Sequence, residues 1–81
     1  MPGSVKVPVL NYYRFQNEQP KPGEVVHCFT SFTQFRGFVQ MMRGQDPDFR
    51  RMRFWEIKGE FVRNDEDDAV VRVVSAREIA V

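Results

Sequence analysis

The pair His27–Cys28 is the first place in this chain where side chains could do chemistry, because a cysteine beside a histidine can form an activated thiol nucleophile. The pair lies in EVVHCF, residues 24–29, whose composition favours a strand. Neighbours on a strand point to opposite faces, so the imidazole cannot reach the thiol. The sequence contains no other histidine. We therefore interpret Cys28 as a core residue and His27 as half-buried, and predict no catalytic residues here.

An acidic run, Asp65-Glu66-Asp67-Asp68, could bind a hard cation through its carboxylate oxygens. The run lacks the glycine at the sixth position and the glutamate at the twelfth position that define the calcium-binding loop. We interpret it as a solvated turn whose charges protect a strand edge from aggregation. We predict no metal site and no cofactor.

Basic residues concentrate ahead of this acidic run. Residues 36–58 carry a net charge of +3, whereas residues 60–68 carry −4. Arg50, Arg51 and Arg53 are interleaved with aromatic residues and could bind phosphate while the rings stack on bases; these rings are Phe49, Phe54 and Trp55. The competing interpretation is that the charges pair within the molecule. Nucleic-acid binding is therefore an alternative hypothesis rather than the leading one.

A further set of residues follows the order arginine, serine, glutamate. Arg14 lies on an early predicted strand, Ser31 follows a strand, and Glu56 and Glu60 lie on a later strand. This order loosely resembles that of ADP-ribosyltransferases, in which the arginine and serine hold the nicotinamide dinucleotide and the glutamate orients the acceptor. The resemblance makes an ADP-ribosyltransferase-like fragment a distant alternative. Catalytic domains of that family are considerably longer than this chain, so we transfer no site residues.

The composition limits the remaining possibilities. The 81 residues form one domain, of which residues 1–4 are predicted to be flexible. A net charge of +1 provides no general attraction to nucleic acids or to anionic membranes. The single cysteine permits no internal disulfide and favours a reducing, cytoplasmic setting. No apolar run approaches the roughly 18 residues of a membrane helix, and the first residues do not resemble a signal peptide.

The local patterns predict four strands and one helix. Residues 10–15 and 24–29 form the first two strands, separated by a proline-rich loop, and an extended segment of alternating valines precedes them. Ser31 is the predicted N-cap of a helix over residues 32–43, which Gly44 follows as the C′ residue. Asp46-Pro47 favours one further helical turn. Residues 54–62 and 70–79 then form a C-terminal β-hairpin around a turn at residues 63–68.

The hairpin also carries predictions about packing. We expect Trp55, Ile57 and Phe61 to form its buried face, beneath the helix. Gly59 indicates a bulge, or a point where another group lies close to the backbone. The apolar run over residues 70–74 is typical of an interior strand.

These elements predict an α+β fold of two layers, with a mostly antiparallel four-stranded sheet, one helix on one face and the order β-β-α-β-β. The second face of the sheet would stay uncovered and apolar, which predicts self-association or a protein partner. The predicted function is a small, intracellular, non-enzymatic interaction domain that binds another protein or itself. The candidate interaction surface combines this face with the arginines that lead into it: Arg50, Arg51, Arg53, Phe54, Val62, Val70 and Val74.

Overall fold

The computed structural model describes residues 8–81. The elements follow one another as β1 (Val9–Phe15), β2 (Val25–Cys28), α1 (Phe32–Gln45), a 3-10 helix (Pro47–Arg51), β3 (Phe54–Asp65) and β4 (Asp68–Ile79). All strand pairs are antiparallel, and the strand order across the sheet is β1-β3-β4-β2. The predicted fold class and element order are confirmed. The predicted flexible residues 1–4 and the first part of the valine-rich segment lie outside the described residues.

The start of α1 is set by Ser31, as predicted. Its side-chain oxygen accepts a hydrogen bond from the backbone N–H of Gln34 at 3.3 Å, which satisfies one of the otherwise unpaired N–H groups of the first turn. No helix in residues 8–81 is long and apolar enough to cross a membrane.

The end of α1 differs from the prediction. The helix continues through Gly44 to Gln45, so Gly44 is a helical residue rather than the C′ residue. Asp46 ends it, since its backbone N–H donates to the carbonyl of Met42 at 2.8 Å. The carboxylate of Asp46 also accepts from the N–H of Asp48 at 3.0 Å and begins the 3-10 helix. One residue thus caps two helices, which removes the need for a glycine there.

The sheet is coiled so strongly that its two edges meet at one point. Tyr13 of β1 and Phe29, the residue after β2, exchange backbone hydrogen bonds of 3.0 and 2.7 Å. Two irregularities in the β3–β4 register, at Lys58/Gly59 and between Phe61 and Arg63, lie along the hairpin. Bulges increase strand twist, and this twist is what allows a four-stranded sheet to bring its edges together.

Coiling gives the sheet two apolar clusters instead of one. The inner cluster lies on the concave side of the sheet and contains Tyr12, Val26, Cys28, Trp55, Ile57, Ala69, Val71 and Val73. The helix cluster lies beneath α1 and is built on Phe35, Val39, Phe49 and Phe54, with further aromatic and aliphatic side chains around them. The helix cluster covers the second face of the sheet at the end that carries Phe15, Phe54 and Ile79, whereas Lys58, Arg72 and Val74 farther along are exposed.

The predicted packing of β3 is wrong in two respects. Phe54, rather than Trp55 or Ile57, lies under the helix, while Trp55 and Ile57 enter the inner cluster. Phe61, also predicted to be buried, is 41% exposed. Successive strand residues do point to opposite sides, but at the start of β3 both sides are buried. The predicted interior strand is confirmed, since β4 lies between β3 and β2.

Candidate functional site

The arginines ahead of β3 have different roles. Arg53 forms a two-pronged pair with Glu78, with N–O distances of 3.0 and 3.1 Å, and also donates to the backbone oxygen of Asn17. Its guanidinium lies 4.6 Å from the ring centre of Trp55, a cation–π distance. The hydrogen bond with Glu78 raises the pKa of Arg53 and lowers the pKa of Glu78. Arg53 is thus committed to contacts within the fold.

Arg50 and Arg51 are exposed on the 3-10 helix and form no ion pair within residues 8–81. The neighbouring rings, however, cannot stack on bases. Phe49 and Phe54 lie in the helix cluster and Trp55 in the inner cluster, each at most 5% exposed. The hypothesis of nucleic-acid binding therefore rests on Arg50 and Arg51 alone, without the stacking platform that the sequence indicated.

The predicted apolar interaction face is not one surface. Phe54 and Val70 are buried, which corrects the expectation that they line an uncovered face. Val62 and Val74 are 40% and 43% exposed. Each of these two valines is left without a direct partner where the β3–β4 register shifts, Val74 at the first irregularity and Val62 at the second. The bulges turn these side chains outward, an effect that strict alternation along a strand cannot predict.

Sequence reasoning missed a segment of β3 that has no strand partner on one side among residues 8–81. Among residues 8–81, the pairing of β1 with β3 extends from Phe15 opposite Phe54 to Val9 opposite Glu60. Residues Phe61–Asp65 of β3 pair with β4 on one side, and no strand within residues 8–81 pairs with them on the other. We call this segment the β3 edge. Phe61 and Val62 at its start are exposed, and so is Leu10, which lies opposite Gly59.

The acidic turn is tighter than predicted. Asp65 pairs with Asp68, so only Glu66 and Asp67 form the loop, and Glu66 has a φ of +53°. His27 on β2 lies beside this tip, with its Nδ1 3.8 Å from a carboxylate oxygen of both Asp65 and Asp68. Among the residues that the structure describes, no three histidine, cysteine or acidic side chains are arranged to hold a metal ion.

The His27–Cys28 pair is separated as predicted. Cys28 lies in the inner cluster, whereas His27 is exposed on the opposite side of β2. Burial raises the pKa of the Cys28 thiol to about 12, with smaller opposing effects from Arg14 and Asp68. The thiol therefore stays protonated near neutral pH and is a poor nucleophile.

The four residues whose order resembles that of ADP-ribosyltransferases do not form one site. Ser31 acts as the helix cap. Arg14 donates to the backbone oxygen of His27, whereas Glu56 accepts from Arg77 at 2.9 Å in a separate surface groove. Glu60 lies in register with Val9 and Arg72, towards the far end of β1. The shared order along the chain thus has no counterpart in space.

Comparisons with protein-family models, with curated proteins and with solved structures find no match to this chain.

Proposed function

We propose that this chain is a protein-interaction domain that binds an extended segment of a partner protein along the β3 edge. The supporting observation is the length of that edge. Five consecutive residues, Phe61–Asp65, continue beyond the paired part of β1 and have backbone hydrogen-bonding groups on one side without a described partner. An added strand would pair with these groups and gain affinity from main-chain hydrogen bonds.

The exposed side chains around the edge are suited to contact an apolar residue of the added strand. Phe61 and Val62 are exposed at the start of the edge, and Leu10 is 52% exposed on the neighbouring strand. Leu10 lies opposite Gly59, two residues from Phe61, which makes Leu10 and Phe61 diagonal neighbours on the sheet. Natural proteins usually protect long edges with charges or proline, yet this edge begins with two hydrophobic residues. An apolar side chain of the added strand would cover them.

Charge complementarity defines the rest of the partner. Four carboxylates, residues 65–68, lie at the far end of the edge, and Arg63 is the only basic residue from position 61 to 68. A partner segment with an apolar residue facing Phe61 and a lysine or arginine facing Asp65 matches both ends. This pattern makes the partner an extended segment that changes from apolar to basic along its length.

A second copy of the chain is a poorer fit to the edge. Antiparallel pairing of all five residues with the same segment places Arg63 opposite Arg63 and Phe61 opposite Asp65. Like charges directly opposite each other destabilise a strand pair, and each phenylalanine would face a carboxylate. We therefore favour a different protein over the homo-oligomer that the sequence also predicts.

Affinity capture with matched variants tests the proposal. The wild-type chain, Val62→Lys and Met41→Lys are used to capture proteins from an extract of the organism that encodes the chain. Both substitutions place a lysine at an exposed hydrophobic position, but Met41 lies on α1, away from the edge. Captured proteins are then bound to the wild-type chain, and the exchange of its backbone amides is measured.

We expect a protein that binds the wild type and Met41→Lys but not Val62→Lys, and that slows amide exchange within Phe61–Asp65. Capture that Val62→Lys leaves unchanged, or protection located elsewhere, contradicts the proposal. Light scattering of the chain alone tests whether the edge binds a second copy instead of a different protein. A wild-type dimer that the Val62→Lys substitution dissociates would make self-pairing the function of the edge.

A further inference from the structure

A cavity of about 250 Å³ lies where the end of β1, the end of β2 and the middle of α1 meet. Its lining includes Arg14 and Phe15 from β1, His27 from β2 and Phe38 from α1, with Phe29 and Asp68 completing the wall. An apolar cavity of about 150 Å³ is enough to admit benzene. The larger volume here has room for one aromatic ring with a small polar substituent.

One wall of the cavity consists of phenylalanines. Phe15 and Phe38 lie with their ring centres 5.5 Å apart and their planes within 18° of each other, and Phe29 lies 5.4 Å from Phe38. All three rings are only partly buried, although they pack against the helix cluster. Rings held by their neighbours and open on one side form a suitable surface for another planar ring.

The polar side of the cavity holds a fixed guanidinium. Nη1 of Arg14 donates to the backbone oxygen of His27 at 2.7 Å, and Nε donates to the side-chain oxygen of Gln16 at 2.5 Å. These bonds determine the position of the group and leave Nη2 without a hydrogen-bond partner in the described part of the chain. No carboxylate of residues 8–81 forms an ion pair with Arg14. A positioned guanidinium with unused N–H donors is well suited to a carboxylate ligand.

Besides Arg14 and the buried Cys28, the titratable groups of the wall are His27 and Asp68. Nδ1 of His27 lies 3.8 Å from a carboxylate oxygen of Asp65 and 3.8 Å from the carboxylate of Asp68. This negative charge opposes that of Arg14 and so selects against a ligand with several negative charges. A ligand with a single carboxylate on its ring satisfies the arginine and keeps its uncharged side towards Asp68.

We propose that this cavity is a binding site for a small aromatic carboxylic acid, whose carboxylate pairs with Arg14 and whose ring packs against Phe15, Phe29 and Phe38. The site borders the far end of the β3 edge, where Asp65 lies beside His27, but its proposed ligand contacts other residues and does not depend on the function proposed for that edge. The three phenylalanine rings and the fixed guanidinium of Arg14 together define the ligand class. A simple anion would not contact the rings, and an uncharged aromatic molecule would leave the guanidinium without a charged partner.

Titrations followed by backbone-amide NMR test the site with three probes: benzoate, benzyl alcohol and acetate. We expect benzoate to bind with saturable shifts centred on residues 14–15, 27–29 and 38, with a dissociation constant in the millimolar range that suits so small a ligand. Benzyl alcohol and acetate, which lack the carboxylate and the ring respectively, should each bind at least about tenfold more weakly. Non-saturating or scattered shifts with benzoate, or equal affinity for either control probe, would overturn the proposal.

Two variants assign the roles within the site. Arg14→Gln should weaken benzoate binding at least about tenfold, whereas the matched variant Arg36→Gln, on the exposed side of α1, should leave it unchanged. Because Arg14 also holds the backbone at His27, a second variant addresses the ring wall. Phe38→Leu should weaken benzoate binding about fivefold while reducing the preference for benzoate over acetate. Unchanged benzoate affinity in either folded variant contradicts the assignment.

Discussion

Gly59 of β3 packs against the side chain of Val71 of β4, with no room for a side chain on the glycine. A Cβ atom at position 59 would lie 2.2 Å from Cγ1 of Val71 and 2.8 Å from the backbone oxygen of Arg72. Val71 is fully buried in the inner cluster and the second contact is backbone, so neither neighbour can move at low cost. The close approach predicted for this glycine is confirmed, and it coincides with the first bulge of the hairpin.

Gly59→Ala should therefore destabilise the protein. Overpacking against a buried valine and a backbone carbonyl should lower the free energy of unfolding by about 2 kcal/mol. Urea unfolding followed by circular dichroism measures the change. A variant as stable as the wild type would show that the hairpin accommodates the added methyl group without strain.

Gly37→Ala should have the opposite effect. Gly37 lies in the interior of α1, is exposed, and has open space around the position of an added Cβ. The substitution should raise the free energy of unfolding by about 0.5–1 kcal/mol, because alanine loses less backbone entropy in a helix. The same urea titration measures it and serves as the control for Gly59→Ala. A lower free energy of unfolding would contradict the prediction and show that the added methyl group is not accommodated at this face of the helix.

Cys28 should be unreactive in the folded protein. With a thiol pKa of about 12, the thiolate fraction at pH 8 is on the order of 10⁻⁴, whereas an unfolded chain with the ordinary pKa of 9.0 is about one tenth thiolate. Iodoacetamide at pH 8 should therefore modify the native chain far more slowly than the urea-unfolded chain, as followed by mass spectrometry. Equal rates would mean that the cysteine is accessible and ionised.

The raised pKa of the Cys28 thiol also predicts that the folded protein loses stability at alkaline pH. The folded state keeps Cys28 protonated up to about pH 12, while the unfolded state releases the proton above its ordinary pKa near 9.0. The contribution of the thiol to stability is thus complete below about pH 9 and is lost as the pH rises towards 12. Urea midpoints of the wild type should fall more between pH 8 and pH 10.5 than those of Cys28→Ala. Parallel losses in the two proteins would assign the effect to other groups, such as Tyr12, whose pKa is also raised by burial.

The Arg53–Glu78 pair predicts a measurable change at acidic pH. The hydrogen bond from Arg53 lowers the pKa of Glu78, so the contribution of the pair is present above the ordinary glutamate pKa and is lost as the pH falls through the lowered value. Arg53→Gln should raise the pKa of Glu78 towards its ordinary value in a carboxylate NMR titration. Because both groups are exposed, high salt should reduce the difference. An unchanged pKa would show that the pair does not persist in solution.

The exposed arginines allow a direct test of the nucleic-acid hypothesis. If Arg50 and Arg51 bind phosphates, fluorescence anisotropy with a labelled single-stranded oligonucleotide should detect binding that weakens steeply with salt. The double variant Arg50→Gln/Arg51→Gln should bind more weakly and lower the slope of log K against log salt by about 1.4. Lys21→Gln, a change at another exposed cation, is the control. Absence of binding by the wild type at low salt would exclude the hypothesis.

The sequence by itself determined the elements and their order. Interactions between residues close in sequence determined these elements. Ser31 caps α1, Asp46-Pro47 begins the 3-10 helix, and the spacing of apolar residues distinguishes the helix from the strands. Gly59 could also be recognised, because a glycine in a strand interior signals a bulge or a close contact. These signals act over a few residues, and so they are visible in the chain before it folds.

Only the tertiary structure decided which side of each strand is covered. Phe54 and Trp55 are adjacent and both apolar, so alternation separates them but cannot say which lies under the helix. The edges of the sheet meet where Tyr13 contacts Phe29, both sides are buried at the start of β3, and Val62 is exposed at a bulge. The β3 edge and the Arg14 cavity arise from the same long-range geometry. Such features depend on where distant segments meet, and a pattern read along one segment carries no information about that distance.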